Sequence, residues 1–204
     1  MWLHARARGR GDRRRGSGIL GDLGSHAIDL ARWYMGEVVR VSAHLATFVA
    51  REGPPGAALD PANDTASLLL EFQNGAQGTL HVSAAAHVGD RGQEQAVRLY
   101  GEGGTLEADA SFAGYELRAL RNGEEHFQTL TVPDPLWEGA NRSRPLFDQV
   151  LATHQSQSIG CRAFVDAILE GRPASPSFYD GWKAQQVIEA ALESHASGRG
   201  VDVP

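Results

Sequence analysis

The chain of 204 residues holds one cysteine, Cys161, and one lysine, Lys183. A lone cysteine excludes an intrachain disulfide framework and any multi-cysteine zinc or iron–sulfur centre. No apolar run approaches the ~18 residues that a membrane helix requires, so no membrane partner is expected. No apolar stretch follows the charges at the N-terminus, so it does not read as a secretory signal. A reducing, cytoplasmic setting is the expectation. Lysine is scarce because all but one of the 19 basic residues are arginine. Chemistry that needs an amine therefore has one candidate, and Lys183 reads as a solvated surface charge.

What is present suits a folded domain. Apolar residues make up 42% and charged residues 22%, close to the globular average. Residues 1–16 carry Arg6, Arg8, Arg10, Arg13, Arg14 and Arg15 against Asp12, a balance of +5. The whole chain is −6, so residues 17–204 carry −11. An acidic body repels phosphate, which argues against a nucleic-acid partner. Residues 1–16 read as a basic, disordered or wrongly started segment, and 17–204 as one domain.

From Ile19 the apolar residues Leu20, Leu23, Ala27, Leu30, Ala31 and Tyr34 recur at helical spacing up to Gly36. Val39, Val41, Ala43, Leu45, Thr47 and Val49 then alternate as one face of a strand. A Gly/Pro-rich loop over 52–63 follows. Three hairpins are expected: Ser67–Phe72 with Gly78–Ala84, Gln95–Tyr100 with Thr105–Asp109, and Tyr115–Leu120 with His126–Val132. Asn74-Gly75 and Asn122-Gly123 suggest type I′ turns. Two helices close the chain. One carries Phe164, Val165, Ile168 and Leu169 and stops at Gly171; the other is capped by Asp180 and stopped by Gly198. The expected fold is α+β, an open and mostly antiparallel sheet of about six strands with helices on one face. Apolar residues lie on both sides of the strands, with Leu68, Leu70 and Phe72 opposite Leu69. This suggests that the free face is buried in a homodimer or higher oligomer.

Gly16-Ser17-Gly18-Ile19-Leu20-Gly21 matches G-x-G-x-x-G and precedes a helix. No buried strand leads into it, since Arg8–Arg15 comes before, so it reads as a chance match and not a dinucleotide turn. Asp22, His26 and Asp29 stand at i, i+4 and i+7, one face of an α-helix. Two carboxylates beside an imidazole can orient a polyol's hydroxyls and pass a proton, because histidine changes charge near neutral pH. The plainer alternative is that Asp22 caps the helix and His26 is an ordinary surface or core histidine. Three ligands on one face with no second cluster make a weak metal site, and none is expected.

The stretch Asp22-Leu23-Gly24-Ser25-His26-Ala27-Ile28-Asp29 resembles the D-x-G-x-H-x-x-D signature of the glucose–fructose oxidoreductase/inositol dehydrogenase (Gfo/Idh/MocA) family, where it opens the C-terminal domain. Phe164-Val165-Asp166-Ala167-Ile168-Leu169-Glu170-Gly171-Arg172-Pro173 and the stretch from Tyr179 to Leu192 are similar to the same domain. The resemblance implies a domain for substrate binding and oligomerisation, acting on a sugar or cyclitol. Asp22 would orient the substrate and His26 would be catalytic, while Asp29 matches a recurring position. NAD or NADP is the family's cofactor, held on a Rossmann domain with an E-K-P lysine. That domain has no counterpart here, so the chain alone is expected to bind no cofactor and to turn nothing over. The resemblance thus implies the substrate-binding half of an NAD(P)-dependent sugar or polyol oxidoreductase, truncated or wrongly started at residues 1–16. A stand-alone, non-catalytic dimerisation or carbohydrate-binding module is the alternative, and transient use of the nicotinamide in glycoside cleavage is a third. Trp137, with Asn141 and Arg142, lies in a loop where a sugar could stack, or where the ring simply packs. His44, His81, His87, His126 and His154 read as sheet or loop residues, and Cys161 has no histidine partner.

Overall fold

The structure, a computed structural model, describes residues 12–14, 16–50 and 59–204. Most of the basic segment over 1–16, and residues 51–58, which include the first part of the loop expected over 52–63, lie outside it. The chain divides into two units, one running to Ala86 and resuming at Pro176–Pro204, the other His87–Ser175. Where the basic segment is described, Asp12 forms an antiparallel bridge with Pro61. Its carboxylate accepts from the backbone N–H, Nε and Nη2 of Arg14 at 3.0, 3.0 and 2.9 Å.

In the first unit, strands β1 (Val38–Ala46), β2 (Thr65–Phe72), β3 (Gln77–Ser83) and β8 (Val201–Asp202) form a sheet in the order β3-β2-β1-β8. All its pairings are antiparallel. Helices α1 (Ser25–Met35) and α4 (Phe178–Ser197) supply the other side of the core. β2 alternates as its sequence requires: Ala66, Leu68, Leu70 and Phe72 point inward, while Leu69 is 59% exposed. β1 departs from simple alternation. The register shifts between Val38 and Arg40, so Val38 enters the core and Val39 is left exposed. One extra residue at such a bulge reverses the facing of what precedes it.

The second unit holds a meander of β4 (Glu94–Gly101), β5 (Gly104–Ser111), β6 (Gly114–Arg121) and β7 (Gln128–Thr129), with helices α2 (Leu146–Ser156) and α3 (Cys161–Glu170) after it. The class is α+β with antiparallel pairing, as expected. The strands nevertheless form two sheets of four rather than one of about six. The break falls between Ser83 and Glu94, where Gly89 and Gly92 both adopt positive φ. That connection is too long and too irregular for a hairpin.

The hairpin turns sit where Asn-Gly placed them but are not type I′, because no residue other than glycine has positive φ among the described residues. In the first, the Gly75 N–H donates to the Phe72 carbonyl at 2.9 Å, with φ +85° at Gly75. This is a type I turn followed by a left-handed glycine. In the second, Glu124 N–H donates to Arg121 and Gly123 takes φ +89°, the pattern of a type II turn. The expected His126–Val132 arm shrinks to two residues. Helix α4 is capped by Ser177 and not by Asp180. Asp180 stands at the third helical position, and its carboxylate accepts the Ser177 N–H at 2.7 Å, closing a capping box. No helix among the described residues is long and apolar enough to cross a membrane.

Candidate functional site

The helix that carries Asp22 and His26 begins against a distant segment. Gly18 takes φ +66°, and a Cβ there would lie 2.5 Å from the Asn63 carbonyl oxygen. Only glycine allows that approach. The Ile19 N–H donates to the Asn63 carbonyl at 3.0 Å. The Leu20 N–H donates to Asn63 Oδ1 at 3.1 Å, and Asn63 Nδ2 donates to the Ser17 carbonyl at 2.8 Å. A phosphate at a helix N-terminus needs such N–H groups free. Here Asn63 occupies them, so the G-x-G-x-x-G match is not a pyrophosphate cradle. The residues present do not fit a dinucleotide at this turn.

Leu20–Gly24 is a turn of π-helix, and α1 continues from it. The shared face expected of Asp22, His26 and Asp29 assumes α geometry throughout. The wider π-turn alters how Asp22 is rotated relative to the two residues on α1. Asp22 lies mid-turn and half-buried, and its carbonyl accepts the Ser25 hydroxyl at 2.8 Å. His26 is exposed in the first turn of α1. π-turns recur at functional sites, and this one lies inside the stretch where the sequence pointed.

Asp29 is occupied structurally. Arg32, with its side chain 6% exposed, donates through Nη1 to Asp29 Oδ1 at 3.3 Å. It also clasps Glu37 through Nε and Nη2 at 3.0 and 2.8 Å, and donates to the Asp180 carbonyl at 3.2 Å. This bidentate bond to Arg32 holds the Glu37 carboxyl below the usual range, and the same bond raises the Arg32 guanidinium. Asp180 is held low chiefly by the Ser177 N–H. Helical periodicity offered no signal for Arg32, since an arginine on an apolar stripe reads as a solvated edge. Asn63 was equally invisible, because its partners lie 43 and 46 residues away.

Trp137 belongs to the second unit, whereas Asp22 and His26 belong to the first. It ends a short 3₁₀ turn, Asp134–Trp137. Its ring lies 5.7 Å from Tyr115 and 5.8 Å from the Arg142 guanidinium. Asn141 accepts from the Ser143 backbone and hydroxyl at 3.0 and 2.7 Å. Several of the remaining histidines have partners within the fold. His81 Nδ1 is 2.9 Å from the Ser67 hydroxyl, His195 Nδ1 accepts the Leu45 N–H at 3.3 Å, and His154 Nδ1 is 2.9 Å from the Val150 carbonyl. Lys183 donates to the Pro204 carbonyl at 2.9 Å and lies over the Trp182 ring. Cys161 is exposed. Among the described residues no group of three or more His, Cys, Asp or Glu is arranged to hold a metal ion. Two grooves, of about 290 Å³ near Asn141 and about 710 Å³ near Trp182, include neither Asp22 nor His26.

The pattern of the oxidoreductase family, C-terminal alpha/beta domain, matches residues 3–203. Levoglucosan dehydrogenase of Pseudarthrobacter phenanthrenivorans is 28% identical over 93% of this chain and 52% of its own length. D-apiose dehydrogenase of Rhizobium rhizogenes is 31% identical over 91% of this chain and 48% of its own. A solved levoglucosan dehydrogenase in complex with NADH and levoglucosan superposes with a TM-score of 0.79 at 27% identity, covering 98% of this chain and 54% of that one. The chain therefore spans about half the length of the relatives it matches.

Proposed function

Because the chain belongs to the Gfo/Idh/MocA oxidoreductase family, as its C-terminal alpha/beta domain, we propose that it forms the substrate-binding half of an NAD(P)-dependent sugar or polyol oxidoreductase. One observation carries the reading: Asp22, half-buried in a π-turn, and His26, exposed one turn later, occupy the D-x-G-x-H positions of the same helix. The names of the relatives support a sugar substrate. Asp22 accepts a hydroxyl's hydrogen bond and orients the ring. His26 accepts the proton of a neighbouring hydroxyl on an imidazole nitrogen. Oxidation would also need NAD(P) to take the hydride from the same carbon; the glycine turn before Asp22 is filled by Asn63 and offers a dinucleotide no seat, so that cofactor would be held elsewhere than at this turn.

Leu69, 59% exposed on β2, favours a second reading, a non-catalytic carbohydrate-binding module that dimerises through its sheet. Isothermal titration of the chain with levoglucosan, D-apiose and myo-inositol tests both. On the first reading at least one binds, and His26→Ala and Asp22→Asn each weaken it about tenfold or more. Binding indifferent to both substitutions leaves the module reading. A monomeric mass by light scattering removes the dimer from either. If none of the three sugars binds, both readings fail.

A further inference from the structure

A helix start leaves N–H groups that something must satisfy, and here the local chain does not supply the group. The residue preceding the π-turn, Ile19, makes no side-chain cap. The acceptors come instead from Asn63, through one backbone and one side-chain bond, and its amide returns a third bond to the Ser17 carbonyl. Asn63 is itself fixed. Its neighbours Ala62 and Asp64 are each 1% exposed, and Asp64 accepts the N–H groups of Phe48 and Val49 at 2.8 to 3.1 Å. The start of the site helix is therefore fastened to the sheet. Leu20, fully buried, anchors the same turn in the core. Asp22 lies two residues past both anchors, inside the π-turn that begins at Leu20.

We infer that Asn63 is a positioning residue, which by bracketing Ser17, Ile19 and Leu20 holds the π-turn and so sets the rotation of Asp22 relative to His26. The inference rests on the reading of those two residues as the sugar-handling pair. Without the bracket, the turn is free to relax toward α geometry. Relaxation of the wide π-turn to α geometry changes the helical step at each residue it spans, and Asp22, inside the turn, is rotated relative to His26 by part of the roughly 100° that separates successive α-helical residues. A carboxylate turned that far no longer meets the hydroxyl that His26 meets.

The test is NMR of the labelled full chain, following the Asp22 amide and the His26 ring, with the His81 ring on β3 as internal control, together with titration by levoglucosan. Asn63→Ala should displace the Asp22 and His26 signals, leave those of His81 in place, and weaken levoglucosan about tenfold or more. Asn63→Asp keeps an acceptor for the Leu20 N–H but loses the donor to Ser17, so it should give an intermediate displacement and recover part of the affinity. If the alanine variant does not fold, the aspartate variant decides, and signals identical to wild type overturn the inference. It is equally overturned if Asn63→Ala lowers the melting temperature while the Asp22 and His26 signals stay as they were. Levoglucosan binding wild type and Asn63→Ala alike overturns the positioning role and leaves the sugar reading standing. Displaced signals with no levoglucosan binding to any variant support the positioning role and sink the sugar reading.

Discussion

The two units solve the same folding problem by different means. In the first, Leu20, Ile28, Val41, Leu70, Val187 and Ala191 are 2% exposed or less, within one apolar cluster between sheet and helices. In the second, Ala167 is the only fully buried apolar residue among the described residues, while Phe164, Val165, Ile168 and Leu169 on α3 are 51–78% exposed. Its sheet relies on turns and on charge. Glu107 lies between Arg98 at 3.4 Å and Arg118 at 2.6 Å, and Arg98 also bonds Asp109 at 2.8 Å. Antiparallel hairpins can thus be specified locally, whereas the helix bearing Asp22 and His26 is held by burial and by partners far along the chain.

The largest expected effect separates these two modes directly. Leu70→Ala opens a cavity in the first unit's core and should cost about 3 kcal/mol in urea unfolding; a loss under ~1 kcal/mol would show that this cluster is not what holds the unit. Next is Gly104→Ala in the second unit. A Cβ there would lie 2.0 Å from the Leu120 carbonyl at φ +134°, so a cost of about 2 kcal/mol is expected. Hydrogen exchange should locate that loss in β5 and β6, and the contrast with Leu70→Ala weakens if the protection of β1 and β2 falls equally.

Arg32→Met comes third. It strands Glu37, whose side chain is 34% exposed, while Asp180 keeps its bond from Ser177, and because water still reaches Glu37 the cost should be about 1–2 kcal/mol. The same cluster fixes a pH response. The folded carboxyls of Glu37 and Asp180 titrate below their unfolded values, which lie near ~4.3 and ~3.9. Their contribution is complete above those values and is lost as pH falls through the lower folded ones. Urea midpoints taken downward from pH 5 should fall, and Arg32→Met should remove the Glu37 share of the fall while leaving most of the Asp180 share, which Ser177 sets. Glu107→Gln should cost only about 0.5 kcal/mol, with an effect that shrinks in high salt. Smallest of all, Leu169→Ala on the exposed stripe should stay within ~0.5 kcal/mol by thermal melting.

Much of this architecture is legible in the residues. Period-two alternation located β2, glycine-flanked runs located β4 to β6, and Gly36, Gly171 and Gly198 closed the helices where expected. These signals are local, and short-range sterics and backbone hydrogen bonding suffice for them. Val39 was misplaced because a bulge depends on the partner strand. The single sheet was misjudged because strand order depends on which edges meet after an irregular connection.

The candidate site divides along the same line. The sequence by itself determined that Asp22 and His26 share a helix, and it carried the family resemblance that the 3–203 match establishes. The tertiary structure decided that the glycine turn is filled by Asn63, that Asp29 serves Arg32, and that Asp22 sits in a π-turn. The first and last depend on partners 43 and 46 residues away or on a helical register that propensity does not encode, and although Asp29 lies only three residues from Arg32, the Arg32 side chain is also held by the Asp180 carbonyl 148 residues away. Such contacts form only when the chain closes on itself, because the geometry of each is set by where other elements have already packed.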